Sequence, residues 1–162
     1  VVNSNGSAVD PSTGLPWEAA GWKLRRPPAT ERKAVQAALA APPQPTNTTL
    51  GVVATSAALS KVEASSLAAV AHDGLARAIR PAHSLVDGDT IFSLATGAHE
   101  LPDRLEVDGS ELDGPQARVT ALRLLAVAAA DTFAAACTHA LLTATTLGDS
   151  PAYLDLCPSV RR

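Results

Sequence analysis

The chain of 162 residues is long enough for one domain with a real core, and 46% of it is apolar. Aromatic residues make up only 3%, so that core must be built from small side chains packed helix on sheet or helix on helix. A net charge of −3 gives no electrostatic reason to expect nucleic acid or a membrane surface as partner.

The chain opens with "VVNSNGSAVDP", an apolar pair without a leader pattern, and reads as the C-terminal part of a longer precursor. Residues 1–9 suit a short strand ended by the turn-rich "DPSTGLP". Residues 10–30 read as irregular, and the basic cluster Lys23, Arg25 and Arg26 as solvated loop. Residues 31–41, "ERKAVQAALAA", hold good helix formers but a weak apolar face, and "PPQP" stops them. This segment is expected to be a mobile linker outside the core.

The run "LGVVA" at 50–54 is continuous and apolar, as in a strand covered on both faces. Ser60 with Glu63 forms a capping box, opening a helix that reaches about Ile79. Its apolar side carries Val62, Leu67, Val70, Leu75 and Ile79, and Arg80-Pro81 ends it. A second strand, "TIFSLATG" at 90–97, leads into a polar loop. Asp113, Gly114 and Pro115 then open the longest helix, roughly 115–143. No apolar run is expected to span a membrane, since Arg123 and Asp131 interrupt the longest one. The last twenty residues read as an extended tail. Two or three strands do not make an independently stable sheet, so further strands must come from an upstream segment or other subunits.

Cys137 and Cys157 lack metal-ligand spacing. They leave a single disulfide open, although a reduced, cytoplasmic protein is the simpler reading. His72 and His83 invite comparison with a catalytic triad, but no serine motif accompanies them, and His99 and His139 read as incidental, in a loop and on a helix.

The seam at "PTNTTLG" joins a proline-rich segment to a rigid strand. Asn47-Thr48 there is either an ordinary loop preceding a strand or a self-cleavage point. In the second case the Thr48 hydroxyl attacks the preceding carbonyl and the resulting ester hydrolyses. Thr48 is then left with a free α-amine, which titrates near neutrality and can act as base for the hydroxyl beside it. Asn47-Thr48-Thr49 also matches a glycosylation sequon. In "VDGDT", Asp87 and Asp89 flank Gly88 at the start of a strand and point to one side. They form either a polar turn or a carboxylate pair able to share a proton or hold an ammonium group. Two carboxylates are too few for a metal site, and no cofactor is expected. Asn3 is either a turn residue or a donor to a developing oxyanion.

Residues 47–97, "NTTLGVVATSAALSKVEASSLAAVAHDGLARAIRPAHSLVDGDTIFSLATG", together with "VNSNGSAVDPSTGLPW" at 2–17, resemble the P1 (S58) peptidase family. That family includes the D-stereospecific aminopeptidase DmpA, β-aminopeptidases and nylon-oligomer hydrolases. The resemblance implies an α+β fold, a four-layer αββα sandwich shared with ornithine acetyltransferases, of which this chain supplies the C-terminal portion. It implies a precursor that cuts itself between Asn47 and Thr48. Residues 1–47 would then end the upstream (α) subunit segment and 48–162 form the C-terminal (β) one, together part of one domain. Thr48 would be the nucleophile, Asp87 and Asp89 would orient its hydroxyl and amine, and Asn3 would serve the oxyanion. The expected activity is hydrolysis of amide bonds in small peptides or amino-acid amides, in a homo-oligomer that also needs the upstream half of the precursor. Two other readings are an ornithine-acetyltransferase-like acyltransferase and a non-catalytic oligomeric protein of the same fold. Ser56 departs from the family, standing where many members carry aspartate.

Overall fold

The computed structural model describes residues 2–40 and 47–161, so the "PPQP" stop lies outside the described residues. In chain order the elements are β1 (Val2–Asn3), α1 (Ala29–Leu39), β2 (Thr48–Ala57), α2 (Lys61–Ala78) and β3 (Thr90–His99). There follow β4 (Arg104–Val107), β5 (Ser110–Asp113), α3 (Gly114–Thr143), α4 (Tyr153–Leu156) and a 3₁₀ turn at Pro158–Arg161. The fold is thus mixed α and β. One sheet has the order β1-β2-β3, and β4 and β5 form a separate antiparallel pair. β1 runs antiparallel to β2 with Val2 opposite Thr49 and Asn3 opposite Thr48.

Contacts divide the chain into two compact units, one of residues 1–50, 75–90 and 134–162 and the other of 51–74 and 91–133. In the first, Val9, Val35, Leu142, Tyr153, Cys157 and Val160 make one buried cluster. Two expectations are corrected here. Residues 29–39 form a helix anchored in the core, not a mobile linker, because Val35 is buried and contributes about 1.5–3 kcal/mol of burial on its own. The tail is not extended either: it forms α4 and the 3₁₀ turn, and Tyr153, Cys157 and Val160 are buried. The Tyr153 hydroxyl donates to the Gly14 carbonyl at 2.6 Å, and the Ser159 hydroxyl donates to the Glu31 carboxylate at 2.7 Å. Cys137 and Cys157 are both buried free thiols, and burial pushes each up to about 11.

In the second unit, glycines let the backbones approach closely. A Cβ on Gly51 would overlap the Phe133 ring, and one on Gly74 would overlap the Ala130 carbonyl. The capping box forms as the residues dictate: the Ser60 amide donates to the Glu63 carboxylate at 2.7 Å and the Glu63 amide to the Ser60 hydroxyl at 3.3 Å. Glu63 also takes a two-pronged hydrogen bond from Arg118 at 2.9–3.0 Å. Leu67 is buried as the helical period requires, but Val62 is 78% exposed and does not belong to the core face. β2 alternates, with Val53 and Ala57 buried and Val52 64% exposed, so the run is covered on one face and not on both. Ser56 is on the exposed side. The polar loop after β3 contains the β4–β5 hairpin, whose two-residue turn puts Asp108 and Gly109 at φ of 51° and 76°.

The expectation of no membrane-length helix is also corrected. By length and composition the 30-residue α3 could cross a membrane, despite Arg123 and Asp131. Only 22% of its most apolar stretch is buried, although Phe133, Ala134, Cys137 and Leu142 in its second half are packed against protein.

Candidate active site

The site lies in the first unit, where the start of β2 meets the loop that precedes β3. Asn47 and Asp87 form an isolated parallel bridge, which brings the "VDGDT" loop alongside the Asn47-Thr48 bond. The Thr48 hydroxyl donates to the Asn47 carbonyl at 2.6 Å, and the Gly88 amide donates to the same oxygen at 3.1 Å. Thr48 is half-buried, and Thr49 beside it is fully buried.

The two carboxylates are fixed by backbone amides from three separate stretches of chain. Asp87 Oδ2 accepts from the Asn5 amide at 3.0 Å. Asp89 Oδ1 accepts from the Thr49 amide at 3.0 Å, and Oδ2 accepts from the His83 amide at 3.2 Å. The His83 ring stands on the same oxygen, with Nδ1 at 3.1 Å. The Asp89 side chain is 2% exposed. Burial alone would raise its pKa, but the hydrogen bonds from the His83 and Thr49 amides outweigh that and hold its carboxyl below the ordinary carboxylate value. The Asp87 carboxyl, lying beside it, adds to the effect. Asp87 Oδ1 is buried and accepts no hydrogen bond among the described residues.

The structure therefore brings together Asn3, Asn47, Thr48, Asp87 and Asp89. Asn3 takes its place as the ladder partner of Thr48. Four contributors escaped the sequence reading: the Asn5, Thr49 and Gly88 amides and His83. Backbone donors leave no residue-type signal. His83 had one, its position six residues before Asp89 in the same loop, but its φ of 56° is not legible in the sequence. His72, His99 and His139 lie on α2, β3 and α3 and make none of these contacts. Among the described residues no group of three or more His, Cys, Asp or Glu is placed to hold a metal ion.

A hydroxyl set against a peptide carbonyl, with two anchored carboxyls beside it, is equipment for acyl transfer from amide bonds. The chain belongs to peptidase family S58, whose model matches residues 2–151. An uncharacterized aminopeptidase of Mycobacterium tuberculosis is 46% identical over 165 residues, covering 98% of this chain and 46% of that protein. An uncharacterized aminopeptidase of Mycobacterium leprae is 42% identical over 160 residues, covering 98% of this chain and 43% of its own length. The 6-aminohexanoate-oligomer endohydrolase of Paenarthrobacter ureafaciens is 38% identical over 56 residues, 35% of this chain and 16% of that enzyme. The chain thus spans a little under half the length of the aminopeptidases it matches.

Proposed function

We propose that this chain carries the nucleophile of a self-cleaving amidohydrolase, acting as an aminopeptidase on small peptides or amino-acid amides. The observation that carries the reading is the 2.6 Å contact between the Thr48 hydroxyl and the Asn47 carbonyl. In self-cleavage the Thr48 oxygen adds to the Asn47 carbonyl carbon, the hydroxyl proton passes to the amide nitrogen, and the C–N bond breaks to give an ester and the new α-amine. Water then hydrolyses the ester, leaving an Asn47 carboxylate and a free Thr48 hydroxyl.

In the mature site the α-amine takes the hydroxyl proton while the hydroxyl attacks a substrate carbonyl, and it returns that proton to the leaving amine. Asp87 and Asp89 fix the amine and its ammonium form, and Asn3 donates to the oxyanion. The names of the relatives, aminopeptidase and 6-aminohexanoate-oligomer endohydrolase, support amide substrates. In this reading the whole protein takes the four-layer αββα arrangement and works as an oligomer, with the remaining pocket supplied from beyond this chain.

The test is N-terminal sequencing of the purified full-length protein, with turnover of a panel of amino-acid amides and 6-aminohexanoate oligomers. The expected result is a fragment beginning Thr48-Thr49-Leu50, and loss of both cutting and turnover in Thr48→Ala. An uncut protein that is fully active would overturn the reading.

A further inference from the structure

The Asn47 carbonyl oxygen accepts from two groups, the Thr48 hydroxyl at 2.6 Å and the Gly88 amide at 3.1 Å. Of these two donors only the amide can stay on the oxygen during cleavage, because the hydroxyl must leave it to attack the adjoining carbon. A donor at this distance from a carbonyl oxygen stabilises the negative charge that grows there as the tetrahedral species forms.

The amide is also held in place before the reaction begins. The Asn47–Asp87 bridge fixes one side of the loop. Asp87 is tied to the Asn5 amide, Asp89 to the Thr49 and His83 amides, and the Thr90 hydroxyl donates to the Gly88 carbonyl at 3.2 Å. A side chain on the residue between the carboxylates would crowd the Thr48 hydroxyl. A Cβ on Gly88 would stand 2.9 Å from Thr48 Oγ1 and 3.8 Å from the Asn47 oxygen.

We propose that the Gly88 backbone N–H is the oxyanion donor for self-cleavage of the Asn47-Thr48 bond, and that glycine is required there to keep the nucleophile's path clear. The inference rests on the self-cleavage reading above. It gives the "VDGDT" loop a second task besides presenting its carboxylates: its backbone activates the bond that Thr48 attacks.

The experiment removes the N–H without adding bulk. Full-length precursor is translated in vitro with glycolic acid at position 88, which replaces the amide by an ester, and cutting before Thr48 is followed by gel and mass spectrometry. Cleavage is expected to slow by about 10²- to 10³-fold relative to the all-amide protein. An unchanged rate in the ester-containing chain, beside normal cutting of the all-amide protein, overturns the role of Gly88 and leaves self-cleavage standing. Failure of the all-amide protein to cut overturns both. Should the ester chain not fold, amide exchange in the uncut Thr48→Ala protein decides. The Gly88 amide is expected to be protected by the Asn47 carbonyl, and exchange at the rate of a free loop amide overturns the proposal.

Discussion

Asn3 and Thr48 are direct partners across the antiparallel β1–β2 ladder. Opposed residues of such a pair project to the same face with Cβ atoms about 4.5–5.5 Å apart. The short β1 therefore delivers a carboxamide to the face of the sheet that carries the Thr48 side chain. Asn3→Ala is expected to lower kcat for amide substrates by about 10²- to 10³-fold, the loss usual for one oxyanion donor, with a smaller change in KM. Steady-state kinetics on the matured protein checks this, and a change confined to KM would assign Asn3 to substrate binding instead.

Asp89 is tied by its two oxygens to the Thr49 and His83 amides. Asp89→Asn turns one acceptor into a donor facing an N–H, and is expected to destabilise the protein by about 1–3 kcal/mol and to stop cutting. The pH dependence follows from the lowered carboxyl. A carboxyl whose folded pKa lies below its unfolded one adds stability above the unfolded value, near 3.8, and loses it as pH falls through the folded value. The stability gap between wild type and Asp89→Asn should therefore be full at pH 7 and shrink below about pH 4. Urea melts at a series of pH values measure it; a gap that widens on acidification would contradict the assignment.

His83 pairs with Asp89 while its own backbone lies in the left-handed region, at φ 56°. Both His83→Ala and His83→Gly remove the imidazole, but only glycine relieves the backbone. The glycine variant is expected to be more stable than the alanine variant by about 1 kcal/mol, read from denaturant midpoints.

The Tyr153 hydroxyl, buried against the Gly14 carbonyl, fastens α4 to the loop that follows Val9. Burial raises its pKa, so it remains a donor throughout the range in which the protein can be studied. Tyr153→Phe leaves a buried carbonyl unpaired and should cost about 1–1.5 kcal/mol without changing the rate of cutting. Thermal melts and the cleavage time course separate the two effects.

α2 and α3 were legible because each combined sustained apolar residues with an end signal, Ser60 and Glu63 for one and Pro115 for the other. The seam and the carboxylate pair were legible because reactive residue types stood at the entry to runs that read as strands. α1 reads in sequence as a mobile linker because only one of its residues, Val35, is buried, too little to register as an apolar face. The β4–β5 hairpin was missed although Asp108-Gly109 is a strong turn signal, since charged flanks masked the alternation. The carboxylates' partners were hidden for a different reason. Asn5, Thr49 and His83 reach them through backbone amides, which every residue type shares.

Gly51 offers a test of packing rather than chemistry. Its α-carbon is so close to the Phe133 ring that a methyl group there would overlap the ring atoms. Phe133 is itself buried, so it has little space into which to retreat. Gly51→Ala is expected to destabilise the protein by about 1–3 kcal/mol through overpacking. Phe133→Leu alone should also destabilise it, by leaving part of the ring's volume empty. Combined, the two substitutions should cost less than the sum of the single effects, because the smaller side chain makes room for the methyl group. A double-mutant cycle by urea denaturation measures this coupling, and strict additivity would show that the β2 backbone escapes the methyl by moving elsewhere.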